Sequence, residues 1–314
     1  MQRRYYLIII SVATAVALVL GGTLLGLSVS NPPTAGLKVV ATFYPLYDFA
    51  QNVGGNKTSV SILVPETEDV HDFTPVPSSV EEVASANVLI FNGAGLEPWI
   101  SSLVSSAANP KLVLVNCSQG IQLIPVPPEF QRNGQVVDPH IWLDPVLAKL
   151  MVNNILQGLI KADPRDDRTF TANAQEYEAK LDYLNSEIMN ETNFKVVKTQ
   201  KFITFHEAFH YFANQYNLTQ ISILGPFEES PTDTDIQSVI SNVTQNHLAY
   251  IGYESLENND IAKMVSSETN ATLILMDPIE GLSQAQQVAG MNYLSLMQMD
   301  LANIVLALTH VAGS

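Results

Sequence analysis

The chain of 314 residues is poor in cysteine and in basic residues. Its single cysteine, Cys117, excludes an intramolecular disulfide and a metal site built from several thiolates. Lysine and arginine together number 15 against 31 acidic residues, which gives a net charge of −16. Such an acidic chain disfavours nucleic acid as a partner and mildly favours cations.

A long apolar segment without cysteine stands at the beginning of the chain. Arg3 and Arg4 are followed by an apolar run from Tyr5 to Val29. A membrane-spanning helix needs about 20 such residues, whereas the apolar core of a cleaved signal has about 7 to 15. Residues 1–30 are therefore predicted to be an uncleaved membrane anchor with its arginines in the cytoplasm, and a cleaved signal is the alternative. Because no cysteine follows the run, a lipid anchor of the bacterial lipoprotein type is disfavoured.

The remainder of the chain is predicted to be extracytoplasmic. Residues 31–37 (NPPTAGL) have the composition of a short spacer. Without the two arginines the net charge changes from −16 to −18, which is ordinary for an exported domain. Asn-x-Ser/Thr sequons agree with an outside location and with a glycosylated surface, and they lie at Asn56, Asn116, Asn190, Asn217, Asn242 and Asn270.

Beyond the spacer, short β-branched apolar runs alternate with helical patterns. The runs form two groups of four: KVVATF, VSILV, VLIFN and KLVLVN, and later KFITF, QISIL, LAYIGY and TLILM. Continuous apolar runs are typical of strands that are buried on both faces. Strand–helix alternation predicts an α/β fold with parallel sheets and right-handed crossovers.

One long amphipathic helix is predicted between the two groups of strands. Its apolar residues are spaced four and three apart: Phe170, Ala174, Tyr177, Leu181, Leu184 and Ile188. About 28 helical residues reach about 42 Å, enough to contact two lobes. The predicted organisation is thus a first lobe at 38–163, a linking helix at 164–194 and a second lobe at 195–314. A surface helix on one domain is the alternative.

Candidate metal ligands follow the strands. His71 lies in the loop after VSILV, His140 in the loop after KLVLVN, His206 directly after KFITF, and Asp277 directly after TLILM. Ligands of open α/β sheets bind beyond the carboxyl ends of the strands. Three imidazoles and one carboxylate would form a closed four-coordinate site that suits Zn(II) and tolerates Mn(II). Glu254, after LAYIGY, is a candidate replacement for Asp277.

His140 stands between two Asp-Pro pairs in VVDPHIWLDP. Each proline stiffens the backbone, so the imidazole is expected to be held rigidly. Asp138 or Asp144 is a candidate acceptor for the other ring N–H, which would fix the tautomer. The alternative role is turn and helix capping, and Asp144 before Pro145 has the pattern of an N-cap.

Four motifs resemble a known family: VVATFYPLYDFAQNVGG, VHDFTPVPSSVEEVASANVLIFNGAGLEPWISSL, DPHIWLDP and FITFHEAFHYFANQYNL. The chain from about residue 38 onward is similar to the zinc/manganese solute-binding proteins of ABC transporters, the cluster A-I group. The resemblance implies two Rossmann-like lobes joined by a rigid helix, with the cation in the cleft. It implies a monomer that performs no catalysis and hands the ion to an ABC permease. The family's ligands fall on His71, His140, His206 and Asp277.

Two features bear on which metal is bound. Many zinc members of that family carry a histidine-rich insert, whereas the loop SQGIQLIPVPPEFQRNGQ has no histidine. Histidine rather than glutamate at position 206 favours zinc, because manganese prefers oxygen. Zinc is therefore the expected ion and manganese the alternative.

Two other functions are consistent with the sequence. HEAFH, residues 206–210, matches the H-E-x-x-H motif of zinc peptidases. That motif requires both histidines on one helical face, whereas KFITF before it is strand-like. The second alternative is a surface adhesin on the same fold, since the family includes proteins so named.

Overall fold

The computed structural model describes residues 36–131, 135–194, 197–227 and 231–312. The predicted anchor, residues 1–30, lies outside them, so it stays a prediction. None of the helices in the described ranges has the length and hydrophobicity that a membrane span requires. From Leu37 onward the chain packs as one compact unit.

The first half contains a parallel four-stranded sheet. Its strands are β1 (Leu37–Ala41), β2 (Thr58–Ile62), β3 (Val88–Phe91) and β4 (Val113–Asn116), in the order β2-β1-β3-β4. The connecting helices are α1 (Tyr44–Gly54), α2 (Pro77–Ser85) and α3 (Ile100–Ala107). Val39, Val40 and Ala41 on β1 are at most 2% exposed, which confirms that a continuous apolar run marks a strand covered on both faces.

Two long helices follow, α4 (Pro145–Ala162) and α5 (Asp167–Phe194). The six predicted apolar positions of α5 are each at most 2% exposed, so the predicted stripe is confirmed. The helix begins at Asp167 rather than residue 164, because Pro164–Asp166 form a separate 3-10 turn. α5 packs on α1 and α4, and Tyr216 of the second half donates a hydrogen bond to Asn185 on it, at 2.8 Å. Contacts with both halves favour the linking role, while the exact lobe boundaries stay predictions.

The second half has strands β5 (Lys201–Thr204), β6 (Thr219–Ser222), β7 (Tyr250–Tyr253) and β8 (Thr272–Leu275). Its helices are α6 (His210–Gln215), α7 (Asp233–Gln245), α8 (Asp260–Thr269), α9 (Gln284–Val288) and α10 (Tyr293–Thr309). The strands are parallel, as predicted, but they hydrogen-bond as two pairs, β5–β6 and β7–β8, rather than as one four-stranded sheet. The pairs abut at Gly252, where a Cβ would lie 2.8 Å from the carbonyl oxygen of Ile203.

Candidate metal centre

Three histidines from separate loops converge on the carboxylate of Glu280. The Nε2 atoms of His71, His140 and His206 lie 3.3, 3.2 and 3.6 Å from Glu280 Oε1. The Nε2 atoms of His140 and His206 are 3.2 Å apart. One donor atom from each of the four residues lies within 4.8 Å of all the others. Four donors therefore enclose one small space.

That space has the dimensions of a tetrahedral zinc site. Zinc binds nitrogen and oxygen at about 2.0–2.2 Å, which places neighbouring donors of a tetrahedron about 3.3–3.6 Å apart. Four of the six donor–donor distances, the three to Glu280 and the one between His140 and His206, are 3.2 to 3.6 Å and fall close to this range, and all six are within 4.8 Å. Three nitrogens and one oxygen also match the donor chemistry of zinc better than that of manganese.

Two buried carboxylates set the tautomers of the histidines. Nδ1 of His140 lies 2.8 Å from Asp138 Oδ1, and Nδ1 of His206 lies 2.8 Å from Glu254 Oε1. Each carboxylate accepts the Nδ1–H, so the Nε2 lone pair points into the cluster. Two such lone pairs facing each other at 3.2 Å repel unless a cation or a proton lies between them. The arrangement therefore favours a bound cation.

The burial and the charges of the cluster residues also favour a bound cation. His140 and His206 are fully buried and Glu280 is 6% exposed. Burial acts to raise the pKa of Glu280, but the three histidines lower this pKa well below its usual range, so the group is a carboxylate. Burial lowers the pKa of His140, yet the contacts with Asp138 and Glu280 outweigh it, and the net shift is upward.

The segment around His140 is held at several points. Asp138 Oδ1 also accepts the backbone N–H of His140 at 2.9 Å, and Asn92 donates to the carbonyl of Pro139 at 2.9 Å. Asp138 is thus confirmed as the partner of the imidazole. Asp144 instead accepts the N–H of Val146 at 2.8 Å and caps α4. The two Asp-Pro pairs therefore have different roles.

Asp277 does not belong to the cluster. Its Oδ1 accepts the N–H of Ile279 at 3.2 Å, and its Oδ2 accepts hydrogen bonds from Ser255 and Gln286. Because these neighbours occupy both oxygens, Asp277 braces the loop after β8 rather than reaching the histidines. The carboxylate beside the three histidines belongs instead to Glu280, three residues farther along DPIEG.

Glu254 does not take the place of Asp277 in the cluster. Its Oε1 accepts both the ring N–H and the backbone N–H of His206, the latter at 3.1 Å. It therefore orients a ligand from the side opposite the cluster. Its position directly after β7 marked Glu254 as a candidate site residue, whereas only the hydrogen bonds show that it orients His206.

The HEAFH segment does not form the peptidase geometry. His206 precedes α6, whereas His210 is its first residue. The His210 side chain is 38% exposed, and its Nδ1 lies 3.8 Å from Asp138 Oδ2 rather than in the cluster. The two imidazoles therefore do not share one face of a helix, which the motif requires.

Comparison with known proteins places the chain in a family. The family model of the periplasmic zinc-uptake complex component A matches residues 39–307. The chain belongs to this family. It is 31% identical over 274 residues to the high-affinity zinc uptake system protein ZnuA of Bacillus subtilis (strain 168), over 84% of this chain and 85% of that protein.

Two further comparisons agree with membership of the zinc-uptake family. The chain is 29% identical over 295 residues to the zinc-binding protein AdcA of Streptococcus pyogenes serotype M3, over 88% of this chain and 57% of that relative's length. Its fold matches the Zn(II)-bound ZnuA-like domain of Streptococcus pneumoniae AdcA with a TM-score of 0.76 and 27% identity, covering 88% of this chain and all of that domain. These matches confirm the predicted fold and the predicted class, a solute-binding component of a zinc importer.

The two carboxylates behind the histidines give a testable expectation. Asp138→Asn and Glu254→Gln should each weaken zinc binding by about 10- to 100-fold, because the imidazoles lose basicity and a fixed orientation. Competition with a chromophoric chelator at pH 7.5 measures this. Asp144→Asn is the matched control, since it makes the same chemical change on the same segment without touching His140. Equal losses in Asp138→Asn and Asp144→Asn would contradict the assigned role.

Proposed function

We propose that this protein captures one zinc ion between His71, His140, His206 and Glu280 and delivers it to an ABC permease. The observation that carries the proposal is the convergence of three Nε2 atoms and one carboxylate oxygen within 4.8 Å, with four of their six separations close to the edge length of a zinc tetrahedron. Two ligands come from each half of the chain, so the bound ion ties the halves together. Release to the permease then requires the halves to separate or distort.

A site with four protein ligands suits capture rather than catalysis. Catalytic zinc keeps an open position for water or substrate, whereas structural and storage sites are closed. The protein therefore performs no reaction on the ion. Neither alternative function is favoured: the HEAFH histidines point to different places, and a buried cation site gives no reason to assign adhesion.

Two features of the chain support a proposal about its assembly and its location. All four ligands belong to one chain, which supports action as a monomer. The apolar segment at residues 1–30 supports a tether at the outer face of the cytoplasmic membrane, with secretion after signal cleavage as the alternative. The permease would then find the loaded protein at the membrane surface.

Metal titration tests the proposal. Metal-depleted protein should bind one equivalent of zinc with higher affinity than manganese, and His206→Ala should abolish tight binding. His210→Ala is the matched control, because it removes a histidine from the same HEAFH segment but outside the cluster. Undiminished zinc binding by His206→Ala would overturn the proposed site. Loss of binding in His210→Ala, together with zinc-dependent peptide hydrolysis abolished by Glu207→Gln, would instead establish the peptidase.

A further inference from the structure

We propose that the first half of the chain holds Glu280 in the site through a two-point clamp, with Trp142 and Gly281 as positioning residues for the ion. The clamp acts on the loop 277–283 of the second half, which carries Glu280. The inference rests on the proposed capture of zinc and concerns how the fourth ligand is presented and withdrawn.

Two hydrogen bonds cross between the halves on either side of Glu280. The indole N–H of Trp142 donates to the carbonyl oxygen of Pro278 at 2.7 Å. The backbone N–H of Leu282 donates to the carbonyl oxygen of Glu66 at 2.6 Å. The clamped positions stand two residues before and two residues after Glu280. The loop is therefore fixed symmetrically about its ligand.

Both clamping groups come from segments that also carry histidine ligands. Trp142 stands two residues after His140 and is fully buried, with its ring centroid 5.2 Å from that of the imidazole. Glu66 stands in the loop between β2 and α2, which also contains His71. The positions of two histidines and of the Glu280 loop are consequently coupled through short stretches of backbone.

Gly281 permits the close approach at Glu66. A Cβ at position 281 would overlap the carbonyl oxygen of Glu66 and lie 3.0 Å from its carbonyl carbon. The obstacle is backbone rather than the end of a flexible side chain, so any larger residue must push the loop away from the first half. The neighbouring Glu280 would be displaced with it.

The clamped conformation is one that the loop does not favour by itself. Ile279, adjacent to Glu280, has φ +60° and is fully buried. This left-handed region is a rare outlier for a β-branched residue. The hydrogen bonds from Trp142 and to Glu66 offset the strain while the halves are together. When the halves separate, both bonds break, the strained residue relaxes, and Glu280 withdraws from the ion.

Zinc dissociation kinetics test the clamp. Loaded protein is mixed with excess chelator, and the rate of zinc loss is followed at pH 7.5. Trp142→Phe keeps an aromatic ring but removes the donor, and should release zinc roughly five to ten times faster. Gly281→Ala should release it at least about tenfold faster, because the bond to Glu66 is lost and the loop shifts.

Matched variants separate the clamp from general damage. Trp99→Phe changes the other tryptophan, which packs on Phe73 away from the cluster. Gly290→Ala adds a Cβ where nothing lies within 4 Å, and because Gly290 has φ +65° it also controls for backbone strain outside the loop 277–283. Both should release zinc at the wild-type rate. Trp142→Phe carries the test alone if Gly281→Ala does not fold.

A comparison at Ile279 isolates the strain. Ile279→Gly and Ile279→Ala both remove the branched part of the side chain, but only glycine, which lacks a Cβ, adopts φ +60° without cost. The glycine variant should therefore hold zinc about fivefold longer than the alanine variant. Equal dissociation rates would overturn the strained-loop part of the proposal.

A double-mutant cycle decides whether the clamp acts through Glu280. In a Glu280→Ala background, Trp142→Phe and Gly281→Ala should cause no further change in zinc dissociation. Unchanged release in the single variants, or an equal effect in both backgrounds, would overturn the clamp while leaving zinc capture intact. A wild-type protein that binds no zinc would overturn the proposed function itself.

Discussion

Glu280→Ala is expected to weaken zinc binding by about two to three orders of magnitude. A four-ligand zinc site contributes about 10–16 kcal/mol of apparent binding free energy, so one ligand accounts for about 2.5–4 kcal/mol. The loss should be at the upper end, because Glu280 is the only anionic donor of the cluster and lies against all three histidines. Chelator competition and isothermal titration at pH 7.5 measure the affinity.

Two carboxylate variants serve as controls for that experiment. Asp277→Asn should weaken zinc binding by about tenfold or less, since Asp277 braces the loop and lies outside the cluster. Glu257→Gln should leave the zinc affinity almost unchanged, because Glu257 lies beside the cluster without joining it. Burial, followed by the charge of Asp69, raises the pKa of Glu257 to about 7. A larger loss for Asp277→Asn than for Glu280→Ala would restore Asp277 as the ligand.

The histidines could be predicted because sheet topology determines where they lie. Parallel strands end at one edge, so His71, His140 and His206 were expected to meet there, and they do. Asp138 and Glu254 were visible as acidic residues near the ligands, although only the hydrogen bonds show that they orient imidazoles. Local sequence patterns and the family resemblance agreed on these positions.

The fourth ligand could not be located in this way. The strand-end rule finds the beginning of the loop after β8, where Asp277 is the second residue and the first acidic one. Which carboxylate of DPIEG reaches the histidines depends on the left-handed backbone at Ile279 and on the contacts with Trp142 and Glu66. None of these is a property of the local sequence, because each depends on the opposite half of the chain.

Strand pairing in the second half is another feature that the local sequence does not determine. The four apolar runs were correctly predicted as strands, because burial requires only their composition. Hydrogen bonding between β5 and β7 depends on the spacing of two backbones, and the close approach at Gly252 is not accompanied by a ladder. In contrast, the 28-residue helix α5 was predicted almost to its ends, since a stripe repeated over about five turns is a strong local signal.

Zinc affinity is expected to fall by at least about a hundredfold between pH 7.5 and pH 5. A histidine must be neutral to bind the ion, so protons compete with zinc below its pKa, by about tenfold per pH unit for each protonated ring. The pKa of His140 in the metal-free protein is raised above its usual value of 6.5: burial lowers it, but Asp138 and Glu280 raise it more. The decline should therefore begin above pH 6.5.

The Asp138→Asn variant distinguishes proton competition at His140 from unfolding of the protein at low pH. Loss of the Asp138 charge lowers the pKa of His140, so protons compete less at a given pH. The variant should bind zinc more weakly than the wild type at pH 7.5, yet its affinity should begin to fall at a lower pH. Titrations at half-unit intervals from pH 5 to 7.5, with circular dichroism to confirm folding, measure both curves. Equal wild-type affinity at pH 5 and 7.5 would rule out histidine ligation, because no imidazole ligand escapes proton competition over that interval.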